Sequence, residues 1–150
     1  MKGVFYYMKY EPALIYEDGI ASCVLNDGEK VFCGMATCHP DDRDMMNEKT
    51  GYEIAFRRAK IEYLRYYRDT LKLQLKTLNQ LYYSMNQSKK FNPKSYENKM
   101  LQRQIHIIEL DLATAKEMLT DEKLRLKEYI DEKDKFYVAV RRRRKQAKTE

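Results

Sequence analysis

Leu64-Arg65-Tyr66-Tyr67-Arg68-Asp69-Thr70-Leu71-Lys72-Leu73-Gln74-Leu75-Lys76-Thr77-Leu78 decides the fold. Leu64, Leu71 and Leu78 stand seven residues apart, Met85 continues the row, and Ile54, Ile61, Leu75 and Tyr82 supply the alternate row. Apolar residues at this spacing line one stripe of a helix. Upstream, Thr50-Gly51-Tyr52-Glu53 reads as a capping box, with the Thr hydroxyl on the third helical N–H and the Glu reaching back. No Gly or Pro follows until Pro93, so the spacing predicts one helix over about residues 51–87. At ~1.5 Å per residue it spans roughly 50–55 Å. Residues 86–95 form the break, with Asn92 as N-cap and Pro93 as first helical residue of a second helix. Leu101, Ile108 and Ala115 form one seam of that helix; Ile105, Leu112, Leu119 and Leu126 form the other, continued by Tyr129, Phe136 and Val140. A short connection makes the two helices antiparallel neighbours.

Residues 1–49 have the period of strands. Val4-Phe5-Tyr6-Tyr7-Met8, Ala13-Leu14-Ile15-Tyr16 and Ile20-Ala21-Ser22-Cys23-Val24-Leu25 are rich in aromatic, β-branched and small apolar types. Asn26-Asp27-Gly28 between two apolar runs predicts a tight hairpin, with the return strand over 31–38. The faces of that strand are Val31/Cys33/Met35 and Phe32/Gly34/Ala36, and Gly34 signals either close approach of another backbone or a bulge. The fold class is therefore α+β: a small N-terminal antiparallel β-sheet followed by a long antiparallel helical hairpin. The chain reads as a single domain, with a sheet part at 1–49, the hairpin at 50–140 and a basic tail at 141–150.

Composition narrows the function. The 150 residues carry 29 Lys+Arg against 23 Asp+Glu, a net charge of +6. Residues 1–50 hold five basic and nine acidic groups, whereas residues 141–150 hold six basic and one acidic. The body of the chain is thus nearly neutral, and the excess sits in Arg141-Arg142-Arg143-Arg144-Lys145, a run that offers contact to nucleic acid or a cap for the helix C-terminus. No stretch approaches the ~20 apolar residues of a bilayer span, and no secretory signal is seen. With three Cys, an odd and low count, the expectation is a reduced, cytoplasmic protein.

Candidate chemistry is sparse. The two His are His39 and His106, and no Walker loop, nucleophile elbow or dinucleotide fingerprint is present. The chain reads as a binding protein, not an enzyme, without cofactor. Cys33, Cys38 and His39 with Asp41, Asp42 and Asp44 resemble a ligand set, but a structural zinc normally brings a second pair. The commoner reading makes Cys33 and Cys38 small buried strand residues and the Asp cluster turn and cap groups. Glu122 sits at a core position and is expected to pair with Arg68, while Arg57 is expected near Tyr129 with no acid opposite. Arg57 and Arg58, where the helix leaves the sheet, suit a phosphate or a snorkelling role. Tyr82 and Phe91 with Asn92 and Arg103 suit a pocket for a stacked purine. Ile107, Leu110, Leu124, Ile130, Tyr63, Tyr66 and Tyr67 form a residual apolar stripe, from which a homo-oligomer, dimer or higher, is expected.

Gly34-Met35-Ala36-Thr37-Cys38-His39-Pro40-Asp41-Asp42, then Thr50-Gly51, Ile54-Ala55 and Arg58-Ala59, resembles small phage and prophage proteins of Gram-positive bacteria. Within that group the sheet followed by a long hairpin looks most like the Thoeris anti-defence sponge family. The resemblance implies an oligomer in the host cytoplasm that sequesters a cyclic nucleotide, a cyclic ADP-ribose isomer, without cleaving it. It also implies pockets at subunit contacts built from Arg, an aromatic ring and Asn. The residues of those types here are Arg57, Tyr82 or Phe91, Asn92 and Arg103.

Overall fold

The computed structural model describes residues 12–38, 47–88 and 90–148. The strand read at residues 4–8 and the groups His39, Asp41, Asp42 and Asp44 lie outside them. Three strands, β1 (Ala13–Glu17), β2 (Ile20–Asn26) and β3 (Val31–Thr37), precede two helices, α1 (Glu48–Asn86) and α2 (Tyr96–Ala147). The sheet is antiparallel in the order β1-β2-β3, and α1 and α2 form a helical hairpin. The chain divides into two compact units, one of Met1–Tyr63 with Thr120–Glu150 and one of Leu64–Leu119.

In the first unit, alternation sets the sheet faces. Ala21, Cys23 and Leu25 of β2 and Phe32, Gly34 and Ala36 of β3 are buried, while Val31, Cys33 and Met35 face outward. Asp18 and Gly19 take left-handed φ values of 49° and 80°, the conformation of a tight two-residue hairpin turn, so β1 and β2 meet at Glu17 and Ile20. The tight turn expected at Asn26-Asp27-Gly28 is instead a four-residue loop closing at Asn26 and Val31. Asp27 is the reason: its Oδ1 accepts from the backbone N–H groups of Glu29 (2.9 Å) and Lys30 (2.7 Å). These bonds hold its carboxyl below the usual carboxylate range.

The sheet packs on α1 through small residues. Ala55 and Ala59, one turn apart, have no exposed surface. A Cβ at Gly34 would stand 2.0 Å from the Ala55 carbonyl oxygen and 2.4 Å from the Ala59 nitrogen, so Gly34 marks a backbone-to-backbone approach rather than a bulge. Phe32 meets Tyr63 edge to face, centroids 5.3 Å apart, which buries Tyr63 and removes it from the expected residual stripe. The helix starts earlier than the capping-box reading placed it. Asn47 is the cap, its Oδ1 accepting from Lys49 N–H at 3.0 Å, and Thr50 lies buried inside the helix.

The second unit is the distal part of the hairpin. Leu71, Leu112 and Ala115 form its buried cluster, with Tyr67, Leu75 and Ile108 packed around them, as the heptads imply. At the turn, the second helix begins at Tyr96, not Pro93. Ser95 Oγ accepts from Asn98 N–H (3.3 Å), while the Asn92 side chain accepts from Lys94 N–H (2.9 Å) and so shapes the turn instead of capping the helix. At the other end α2 does not stop before its basic run: Arg141-Arg142-Arg143-Arg144-Lys145 continues as helix to Ala147, so no separate tail begins at 141. Among the described residues no helix is long and apolar enough to cross a membrane.

Candidate functional site

A cavity of about 450 Å³ lies in the first unit, within the size range of small-molecule sites. One side comes from Tyr16, from Ala36 to Cys38 at the end of β3, and from Thr50, Gly51, Ile54 and Arg58 of α1. The other side comes from α2, where Lys133, Tyr137 and Arg141 stand four residues apart and therefore share one helix face. Asp134 and Val138 fill in between them. Small residues make room: Gly51 sits with its bare Cα toward Ala21 and the Tyr16 ring. Among the described residues the lining carries three cations, Arg58, Lys133 and Arg141, and one carboxylate, Asp134. Arg58 is oriented by a hydrogen bond from Nη1 to the Met35 carbonyl (2.5 Å), and the Lys133 ammonium stands 5.2 Å from the Tyr129 ring centroid. Such a lining sets guanidinium and ammonium groups beside the aromatic surface of Tyr16 and Tyr137.

Of the six residues expected from the sequence to bind a ligand, Arg57, Arg58, Tyr82, Phe91, Asn92 and Arg103, Arg58 alone lines this cavity. Arg57, one position earlier, belongs to an ion cluster. Its Nη1 donates to Glu122 Oε1 (3.1 Å), Lys60 Nζ reaches Glu122 Oε2 (3.2 Å), and Glu53 Oε1 lies 2.8 Å from Arg57 Nε. That last contact is an ion pair without hydrogen-bond alignment, which leaves the buried Nε–H with no acceptor on its axis. Arg57 is thus held between two carboxylates, Glu53 and Glu122. The Arg57 guanidinium stands 5.9 Å from the Tyr129 ring, the neighbour expected for it.

Glu122 is buried, as its core position demands, but its expected partner Arg68 pairs with Asp69 instead (2.9 Å). The register accounts for this: the Arg68–Glu122 pairing presumes a turn centred near residue 93, whereas the turn lies midway between Asn86 and Tyr96, near residue 91. Arg68 beside Asp69 holds that carboxyl below its ordinary range.

Tyr82, Phe91, Asn92 and Arg103 lie in the other unit. Tyr82 and Phe91 pack edge to face on each other, centroids 6.0 Å apart at 80°, so no parallel slot for a base opens between them. The Tyr82 hydroxyl accepts from Gln102 Nε2 (3.0 Å), the Asn92 carbonyl accepts from Asn98 Nδ2, and Arg103 is an exposed residue of α2.

The cysteines fall apart. Cys23 is buried under the sheet, where burial and then the neighbouring Cys33 push its thiol up, while Cys33 faces outward and Cys38 lines the cavity. Among the described residues no group of three or more His, Cys, Asp or Glu side chains could hold a metal. Sequence reasoning missed Tyr16, Lys133, Tyr137 and Arg141. The signal for the last three was present as the i, i+4, i+8 spacing on α2, hidden by reading Arg141 as the start of a tail.

Comparison with known protein families, with curated proteins and with solved structures found no match.

Proposed function

We propose that the protein is a phage-encoded anti-defence protein that binds a cyclic nucleotide immune signal of the cyclic ADP-ribose type. It acts in the host cytoplasm as a homo-oligomer and sequesters the signal without cleaving it. The supporting observation is the cavity in which Arg58, Lys133 and Arg141 stand beside Tyr16 and Tyr137. In this reading the guanidinium and ammonium groups hold the phosphates and a tyrosine ring covers the base. Asp134, Asn47 and Thr50 accept from sugar hydroxyls or exocyclic amines. The site supplies charge and surface, which bind and enclose.

Thermal melting of the full chain with cyclic ADP-ribose isomers and cyclic dinucleotides tests it. A ligand at ~100 times its Kd adds about 2.7 kcal/mol, which at roughly 2–4 °C per kcal/mol raises Tm by about 5–11 °C. Arg58→Ala and Arg141→Ala should remove that rise, and chromatography should recover the nucleotide intact. No rise with any cyclic nucleotide, or recovery of a cleaved product, overturns the proposal. A second reading, nucleic-acid binding through α2, is favoured by the helical continuation of the arginine run past 141. It predicts a shift with duplex DNA that disappears at high salt.

A further inference from the structure

The core of the Leu64–Leu119 unit is closed at one level and open at the next. Leu71, Leu112 and Ala115 are buried, whereas Leu75, Leu78, Leu101, Ile105 and Ile108, nearer the turn, remain half-buried. The two broad faces beside this half-open core differ in charge. A residue immediately before a core position is rotated about 100° from the core on its helix. Because α1 and α2 run antiparallel, such residues from both helices fall on the same broad face. They are Gln74, Thr77 and Leu81 on α1 and Met100, Gln104 and Ile107 on α2, all exposed and none charged. Residues immediately after core positions fall on the opposite face, and Lys72, Lys76 and Glu109 are among them. Two charges bound this neutral stretch: Glu97, which precedes the buried Asn98 at the turn end, and Asp111, one turn beyond Ile107. From Thr77 to Ser88 the sequence holds no charged residue, in a chain that is 35% charged.

We propose that this neutral face is the contact with a second copy of the chain, two hairpin units packing broad face to broad face as four helices. Charge argues for that occupant. Two copies of a chain carrying +6 repel wherever their surfaces are charged, and here they need not. The polar groups of the face are amides and a hydroxyl, each both donor and acceptor, so the face complements itself across a two-fold axis. A second copy would also cover the half-buried leucines and isoleucines, as the core of a four-helix bundle requires. Leu81, 50% exposed, and Ile107, 39% exposed, are the apolar anchors.

The contact is independent of the cavity, and it is tested without ligand. Light scattering on the eluting full chain should give a dimer with a Kd in the micromolar range or tighter. Thr77→Arg puts like charges across the two-fold axis and should weaken association about tenfold or more. Gln104→Arg reads the same face from the other helix, so the proposal remains testable if one variant fails to melt like the parent. Asn79→Arg, which follows Leu78 and lies on the opposite face, should associate as the parent does. A monomeric parent overturns the proposal, and so does a dimer that folded Thr77→Arg and Gln104→Arg variants leave unchanged. Equal loss in Asn79→Arg overturns it too, because the contact would then not distinguish the two faces.

Discussion

Gly34→Ala should be the most damaging single-methyl change in the sheet. The added Cβ would sit 2.0 Å from the Ala55 carbonyl oxygen, 2.4 Å from the Ala59 nitrogen and 3.0 Å from Arg58 Cβ. An ordinary carbon–oxygen contact is about 3.3–3.6 Å, so α1 would have to retreat from β3 by roughly 1.5 Å. The two nearest atoms are backbone, and no rotamer change relieves them. Retreat of the helix loosens Ala55 and Ala59, which now have no exposed surface. Overpacking ordinarily costs about 1–3 kcal/mol. With backbone on both sides we expect ~3 kcal/mol, offset by less than ~1 kcal/mol from replacing a strand glycine. At roughly 2–4 °C per kcal/mol the melting temperature should fall by about 5–12 °C, read by circular dichroism. Gly51→Ala is the matched control. Its Cβ would meet the buried Ala21 Cβ at 2.9 Å, which needs a shift of its own though a smaller one than at Gly34, and Tyr16 at 3.7 Å, while a helical Ala gains about 0.8–1.0 kcal/mol over Gly. It should melt within a few degrees of the parent. A Gly34→Ala protein that melts with the parent would refute the backbone-contact reasoning.

Other perturbations probe the rest of the molecule. Glu122→Ala leaves Arg57 and Lys60 facing a buried space without their shared acid, and should cost about 3 kcal/mol or more by denaturant titration. Arg57→Ala should cost less, since Lys60 still neutralises Glu122. Leu71→Ala empties the centre of the distal cluster, and a loss of about 2–5 kcal/mol is expected. The Asp27 carboxyl has a depressed pKa in the folded chain, so its contribution is present above the unfolded value near 4 and is lost as pH falls through the lower folded value. Parent and Asp27→Ala should therefore differ at pH 7 and converge near pH 2, by less than ~1 kcal/mol because the group is solvent-screened. A difference that persists at pH 2 would mean that the two backbone contacts do not act through the charge.

What the sequence made legible follows from locality. Leu71, Leu112 and Ala115 could be placed in one core because heptad spacing is a property of each helix alone. The faces of β3 were legible for the same reason, with Phe32, Gly34 and Ala36 alternating against Cys33 and Met35. The partner of Glu122 was not, because it depends on where the turn is centred, and a shift of two residues moves the acid from Arg68 to Arg57 and Lys60. The helix cap moved because both Asn47 and Thr50 can accept an N–H, and only packing decides between them: Thr50 is buried. The cavity was least legible. Tyr16, Arg58 and Arg141 come from three elements, and nothing in the spacing along the chain announces that they meet.

The same dispersion gives the chain an order of assembly during synthesis. The three strands are complete once residue 37 has been made, and the helix that covers them follows directly. The opposite wall of the cavity is encoded by residues 130–141, about 100 residues downstream of the sheet. At roughly 5–20 residues per second the ribosome takes about 5–20 s to cover that distance. Throughout that interval a nascent chain holds Tyr16 and Arg58 without Lys133, Tyr137 or Arg141. The two-walled cavity therefore exists only once α2 has been made, and ribosome-bound chains arrested before residue 130 should fold their sheet yet lack its second wall.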